Sequence, residues 1–499
     1  MTVIKRQTII GTLWAYLGVL VGSVTQAYLI PNYLTTEENG LLAMLMSWMM
    51  IFVLLANLGF TSAGVRFFDQ FRDKEKGNKG FLFNALVALL LGCLLVTFVV
   101  WGLQKQILSS NAGDTSLFEK YYFVILPITF ATATFNIFDN YAKSLHDTIT
   151  GNFLSQFLQR FLVLLAVVFY IANWLDTKLF VGIWAVAICV PAVLMFFHIH
   201  RIGALNFRPS SFLLKSNFLK PFLSFAGFSV VTSLSSIAIT KLDTLMVYEF
   251  LGLSQTGIYN TCLFFGSVMT ISYNISLKAS TAIVLTAMEE NDFEKVKGIF
   301  QKSSITQVFF GTILLVLVWV NVDVLFSFIK PEYYVGKYVL LIIGIAKLYD
   351  LASGLNSLIL GYSKYYKLDS LLVISFVAVL YLLNHLLIPS YGLNGAAFAA
   401  LIATVYYNTF RNILIWKFFK IHPYSKSLLF ILLTGILVTI VGLYLPDLTI
   451  YDNLDRFLSL IYKCSVTGLL LISSLYFLNV SREINQMIND VFEKLKSLF

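Results

Sequence analysis

The stretch "ITKLDTLMVYEFLGLSQTGIYN", Ile239–Asn260, decides how this chain folds. Its first half is apolar except for Lys241 and Asp243, two residues apart. Its second half, "FLGLSQTG" (Phe250–Gly257), interrupts the run with two glycines and small polar residues, which is turn chemistry. The apolar runs on either side, 222–248 and 256–284, each exceed the roughly 20 residues that cross the hydrocarbon as a helix. The stretch therefore reads as a corner between two membrane-spanning helices, one of which carries charges.

Composition agrees. Of 499 residues, 58% are hydrophobic and 12% charged, and the mean hydropathy is +0.80. Soluble domains sit near 25% charged. The net charge of +9 marks a cytoplasmic face rather than a nucleic-acid partner. The four cysteines (Cys93, Cys189, Cys262, Cys464) stand singly in apolar surroundings and read as buried free thiols. After Lys5 and Arg6, the apolar run Ile9–Ile30 is too long for a signal-peptide core and reads as a retained first span.

Fourteen spans are expected: 9–31, 41–66, 80–103, 119–142, 150–173, 179–200, 222–248, 256–284, 302–322, 335–361, 369–388, 394–418, 427–446 and 457–479. With both ends in the cytoplasm, 25 of the 35 Lys and Arg residues fall on inner segments, seven on outer segments and three inside spans. That asymmetry sets the orientation. The longest inner link, His198–Lys220, separates six helices from six. The expected division is an N-terminal lobe 1–200, a link 201–221, a C-terminal lobe 222–420, two further helices in 421–480 and a cytoplasmic tail 481–499. The tail places Ile484, Ile488, Val491, Phe492, Leu495 and Leu498 on one helical face, which suits the membrane surface. His198 and His200 have no third ligand nearby, so no metal is expected.

An earlier corner, "YLTTEENG" (Tyr33–Gly40), repeats the pattern of "FLGLSQTG": aromatic, Leu, five residues, Gly, at an offset of 217 residues. Equivalent turns in the two halves point to an internal repeat of parallel orientation, a plan that places a site between lobes at mid-membrane.

A Lys or Arg at a helix centre costs about 2.5–3.5 kcal/mol on insertion scales and faces water or a partner rather than lipid. Arg160, Lys241 and Lys347 lie inside spans, and Arg66 ends the second span at the inner boundary. Internal pairing is one reading. Lys347 and Asp350 are i, i+3 and share a face, Asp139 reaches a cation on a neighbouring helix, and Arg66 snorkels. Lys241 and Asp243 point apart, so each needs another partner. The other reading is an electropositive cavity for an anionic substrate such as a phosphate or pyrophosphate head group. Asp139, Asp243 and Asp350 are candidates for ion coupling or helix pairing. Gly18 and Gly22 allow close helix approach. Pro127 and Pro191 kink their helices, and the tyrosine pairs of "KYYF", "PEYYVGKY" and "YSKYYK" read as interfacial belts. No HExxH, GxxxxGK[ST], GxSxG or loop DxD occurs, and the outer loops are short, so no enzyme is expected.

"LGFTSAGVRFF" (Leu58–Phe68), "LDTLMVYEFLGLSQTGIYN" and "IPSYGLNGAAFA" (Ile388–Ala399) together resemble the bacterial polysaccharide flippases, the Wzx-type O-antigen and capsule exporters. Their superfamily includes multidrug and toxin extruders and peptidoglycan lipid flippases. The resemblance implies an all-α integral membrane protein of about fourteen transmembrane helices, with two six-helix lobes in a V (MATE-like) plus two C-terminal helices. It implies alternating access carrying an undecaprenyl-pyrophosphate-linked oligosaccharide outward across the bacterial inner membrane, with Arg66, Arg160, Lys241 and Lys347 holding the head group. Expected partners are that lipid-linked oligosaccharide (a polyprenyl pyrophosphate), membrane lipids, and the polymerase and chain-length proteins of the same route. No cofactor is expected. The rival on this fold is a cation-coupled multidrug extruder. Many of those are expected to carry an acidic coupling site in the membrane, in some members on the first span; Ile9–Ile30 holds no acid, which weakens this reading, while Asp139, Asp243 and Asp350 keep it open. A non-transporting scaffold for glycan assembly leaves the intramembrane cations without purpose.

Overall fold

The computed structural model describes residues 3–73, 78–110, 116–210, 212–215, 218–446 and 453–496. Among these the chain is helical, with no strand. The helices that matter here are α1 (Val3–Ser23, continued through a π turn Val24–Leu29 to Tyr33), α2 (Thr36–Asn57), α3 (Phe60–Phe71), α4 (Phe81–Gly102), α5 (Ile125–Ser144), α6 (Gln159–Ile171, entered through a π turn Phe153–Leu158) and α7 (Thr177–Arg201). There follow α8 (Leu219–Glu289), α9 (Phe293–Val320), α10 (Lys337–Ala352), α11 (Tyr366–Phe419), α12 (Lys426–Leu443), α13 (Asn453–Phe477) and α14 (Arg482–Lys496).

Eleven helical stretches among the described residues are long and apolar enough to cross a membrane, against the fourteen expected. The difference has physical causes. α8 and α11 are each two helices that follow one another across a glycine with non-helical φ/ψ, so two pairs of expected spans count as one stretch apiece. Gly252 has φ 81 and ψ −176, and Gly392 has φ 57 and ψ −137. A side chain would be strained at either place, so each corner depends on glycine. α10 has 16 residues, short of a full crossing.

The chain forms two compact units, Met1–Gly257 and Ile258–Phe499. In the first, α5 packs on α2 and α7, and Phe52, Ile128, Trp184, Ile188 and Met195 are buried at the centre. Lipid tails offer helices no hydrophobic drive to associate, so small residues and close backbone contact carry the packing. A Cβ on Gly92 would lie 2.0 Å from the Ala56 carbonyl oxygen, and one on Gly18 would lie 1.8 Å from that of Gln156. The inner link is pinned: Phe212 packs on Phe71, beside Phe218 and Phe222. In the second unit, α9 packs against α10 and α12, and α10 against α11.

Two sequence readings change here. The tail helix α14 docks on protein, because Ile484 is fully buried with Ile305, Val308, Ile431 and Leu475, and Glu483 pairs with Lys302 at 3.7 Å. Ile488 packs partly buried on the same cluster, the side chains of Val491, Phe492 and Leu495 are not described, and Leu498 lies outside the described residues. The tyrosine pairs are not simply belts: Tyr121, Tyr122 and Tyr333 are buried, and the Tyr122 hydroxyl donates to the Val100 carbonyl at 2.7 Å. Tyr334 stays exposed.

Candidate functional site

The four candidate cations stand on four helices: Arg66 on α3, Arg160 on α6, Lys241 on α8 and Lys347 on α10. Arg66 is exposed, with its guanidinium 4.3 Å from the centre of the Phe225 ring. An exposed cation–π contact of this kind adds about 0.5–1 kcal/mol. Arg160 is half-buried. Its guanidinium lies across α1 at Gly22, where a Cβ would meet its Nη1 at 3.4 Å, and it donates a long 3.5 Å hydrogen bond to the Gln156 amide oxygen. The Gly18/Gly22 reading is borne out: both glycines face residues 156–160. Both π turns lie along this α1–α6 pair, and such turns gather at functional sites.

Lys241 and Lys347 are half-buried, and the Lys347 stem runs beside Gly266. Among the described residues no carboxylate pairs with Arg66, Arg160, Lys241 or Lys347.

The acids behave differently. The Lys347–Asp350 pairing that their spacing allows does not form. The Asp350 carboxylate accepts instead from the Asn408 amide at 2.9 Å. Asp139 pairs with Lys143 of its own helix at 2.5 Å, not with a cation on a neighbour. An i, i+4 partner is nearer and needs no second helix to arrive. Its other oxygen is buried without a hydrogen bond, against Gly151, where a Cβ would come within 1.7 Å of it. Asp243 is buried on α8.

Sequence reasoning missed a polar network in the second unit. Arg411, assigned to an inner segment by its position near a span end, is 4% exposed. It donates to Asp369 at 2.7 Å, to the Asn356 amide oxygen at 3.4 Å and to the Tyr407 hydroxyl. Asn356 in turn donates to Asn408 at 2.9 Å, which connects the network to Asp350. The signal was present in the sequence: Arg411 falls within the expected span 394–418, and Asp369 opens the one before it.

At the α5–α6 turn, the Asp147 carboxylate lies 2.7 Å from the His198 ring of α7, a contact in which His200 takes no part. Burial pushes the Asp147 carboxyl up, but hydrogen bonds from Thr150 and from His198 more than offset this and hold it below the usual carboxylate value. Among the described residues no group of three or more His, Cys, Asp or Glu could hold a metal.

The two repeated corners meet. A Cβ on Gly40 would lie 2.0 Å from the Leu253 carbonyl oxygen, and one on Gly257 would lie 2.1 Å from that of Thr36. Thr36 and Leu253 are themselves 217 residues apart, the offset of the repeat, so the contact is reciprocal. The Thr36 and Ser254 hydroxyls are 2.7 Å apart, and the Asn39 amide donates to the Gly257 carbonyl at 2.9 Å. Thr35 and Glu38 cap α2 reciprocally, and buried Glu38 also accepts from Tyr170 at 2.8 Å and Thr177 at 3.1 Å.

Residues 4–284 match the family model described as "Polysaccharide biosynthesis protein". No curated protein matches the sequence well enough to count as a relative. Among solved structures, the lipid II flippase MurJ in an inward closed conformation is similar in fold (TM-score 0.69, 14% identity), over 94% of this chain and 99% of that one. An inward-facing multidrug resistance MATE family transporter of the MOP superfamily is similar with a TM-score of 0.63 and 13% identity, over 82% and 99% of the two chains.

Proposed function

The chain belongs to the polysaccharide biosynthesis protein family, and on that premise we propose that it moves a polyprenyl-pyrophosphate-linked oligosaccharide from the inner to the outer leaflet of a bacterial cytoplasmic membrane. The family and the fold are those of multi-pass membrane transporters and flippases, not of enzymes. In this reading both termini are cytoplasmic, fourteen spans form two six-helix lobes (1–200 and 222–420, joined by 201–221) with two appended helices, and transport proceeds by alternating access. The polymerase and chain-length proteins would act on the delivered glycan.

One observation carries the reading. Arg160, Lys241 and Lys347 lie within spans with no carboxylate partner among the described residues, whereas Lys143, Lys337 and Arg411 are all paired. An uncompensated charge in the membrane is costly unless something neutralises it. A substrate with two phosphates brings that charge itself, so binding offsets the cost at the moment of loading. Arg160 offers a planar fork to phosphate oxygens, and the two lysines offer point charges. The prenyl tail stays in lipid while the head group crosses. Asp243 and Asp350 are the candidates for ion coupling, with Asp139 held by Lys143.

Translocation of a fluorescent undecaprenyl-pyrophosphate oligosaccharide in proteoliposomes tests this. Wild type should carry it, and the Arg160/Lys241/Lys347→Gln variant should lose transport while keeping normal protein levels. If wild type moves no glycan under any imposed ion gradient but exports small organic cations, the extruder reading on the same fold takes its place.

A further inference from the structure

We infer that the corners 33–40 and 250–257 form a clasp that must part during each transport cycle, and that its strength sets the resting conformation. The inference rests on the alternating-access reading above. In the proposed orientation, both corners lie on the outer side.

The clasp has three components. The first is backbone packing that leaves no room for a methyl group: each glycine faces the carbonyl of its counterpart corner, at Leu253 and at Thr36. The second is polar and small: one hydroxyl pair, Thr36 with Ser254, and one side-chain bond from Asn39 to the Gly257 carbonyl. The third anchors the first corner. Glu38 ties the first corner to Tyr170 and Thr177, at the α6–α7 turn, through 2.8 and 3.1 Å bonds.

This combination suits a contact made and broken repeatedly. Glycine faces fit closely but bury little apolar area, so separating them exposes little to water. These polar contacts can be exchanged for bonds to water, and each such bond has only a modest net worth. The Glu38 anchor holds the first corner to the α6–α7 turn as the two corners separate. Gly252, at a φ that favours glycine, is the pivot within α8 that lets the 250–257 corner turn without unwinding the helix on either side.

Two variants test this in the full-length protein. The Thr36→Cys/Ser254→Cys double variant places two sulfurs where two oxygens stand 2.7 Å apart, close to the ~2.05 Å of a disulfide. The four native cysteines lie outside both corners. After oxidation and mass confirmation of the bridge, glycan flipping in proteoliposomes should fall at least tenfold and recover on reduction, while each single variant is unaffected. Full-rate flipping with the bridge intact overturns the inference. The second measurement needs no substrate: labelling of Ser254→Cys by a membrane-impermeant maleimide. Adding Asn39→Ala should raise the labelling rate severalfold, and an unchanged rate also overturns the inference. If wild type moves no glycan yet Asn39→Ala speeds labelling, the transport reading fails and the clasp stands.

Discussion

Lys347 and Asp350 stand one helical turn apart on α10 and do not pair, because Asn408 of α11 holds the Asp350 carboxylate at 2.9 Å. The separation leaves one cation available and draws one acid into a network, so their substitutions should diverge. Lys347→Gln should change stability by no more than about 0.5 kcal/mol while cutting glycan transport. Arg411→Gln should destabilise by roughly 3–5 kcal/mol, because it strands the Asp369 carboxylate in a buried setting. Thermal unfolding in detergent beside the flipping assay separates the two outcomes.

Gly151 is a glycine because the Asp139 carboxylate occupies the place of its side chain. Gly151→Ala should cost about 1–3 kcal/mol through overpacking. Asp139→Ala on top of it should recover part of that loss. Additive losses in the double variant would show that the two residues do not share the space.

Gly227 lies within the helix that Gly252 terminates, and the two glycines should respond oppositely to alanine. Gly252→Ala forces a Cβ into a positive-φ conformation, at a cost on the order of 1–3 kcal/mol. Gly227 has nothing within 4 Å of a new Cβ, and alanine there should stabilise by roughly 0.4–1 kcal/mol. Melting temperatures of the two variants, compared with wild type, check the pair.

The Asp147 carboxyl is held below its ordinary value in the folded protein. A depressed acid contributes stability that is present above its unfolded pKa and lost as pH falls through the folded one. Melting temperature should therefore decline on acidification below about pH 4 more steeply in wild type than in Asp147→Asn. Parallel curves would show that the Asp147–His198 contact contributes nothing to the acid limb.

The membrane class and the corners at residues 33–40 and 250–257 were legible because they rest on local sequence: long apolar runs and glycines at turn positions. The cations were legible because charge in an apolar span is conspicuous. Their partners were not. Asp350 chose an asparagine 58 residues away over a lysine one turn away, and only the packing of α10 on α11 decides between them. Arg411 was hidden by its place near a span end, where Arg normally snorkels. The tail read as a surface helix because amphipathicity does not say whether lipid or protein covers the apolar face. Ile484 shows that here protein covers part of it.

The carboxylate of Glu38 has a consequence for synthesis. Its capping partner Thr35 is three residues away, but the hydroxyls of Tyr170 and Thr177 follow 132 and 139 residues later. At ribosomal speeds of about 5–20 residues per second, that is a wait of roughly 7 to 26 s for the first of them. The leading helical hairpin therefore enters the bilayer with an acid whose tertiary hydrogen bonds do not yet exist. Water or the insertion machinery must solvate it until α6 and α7 emerge.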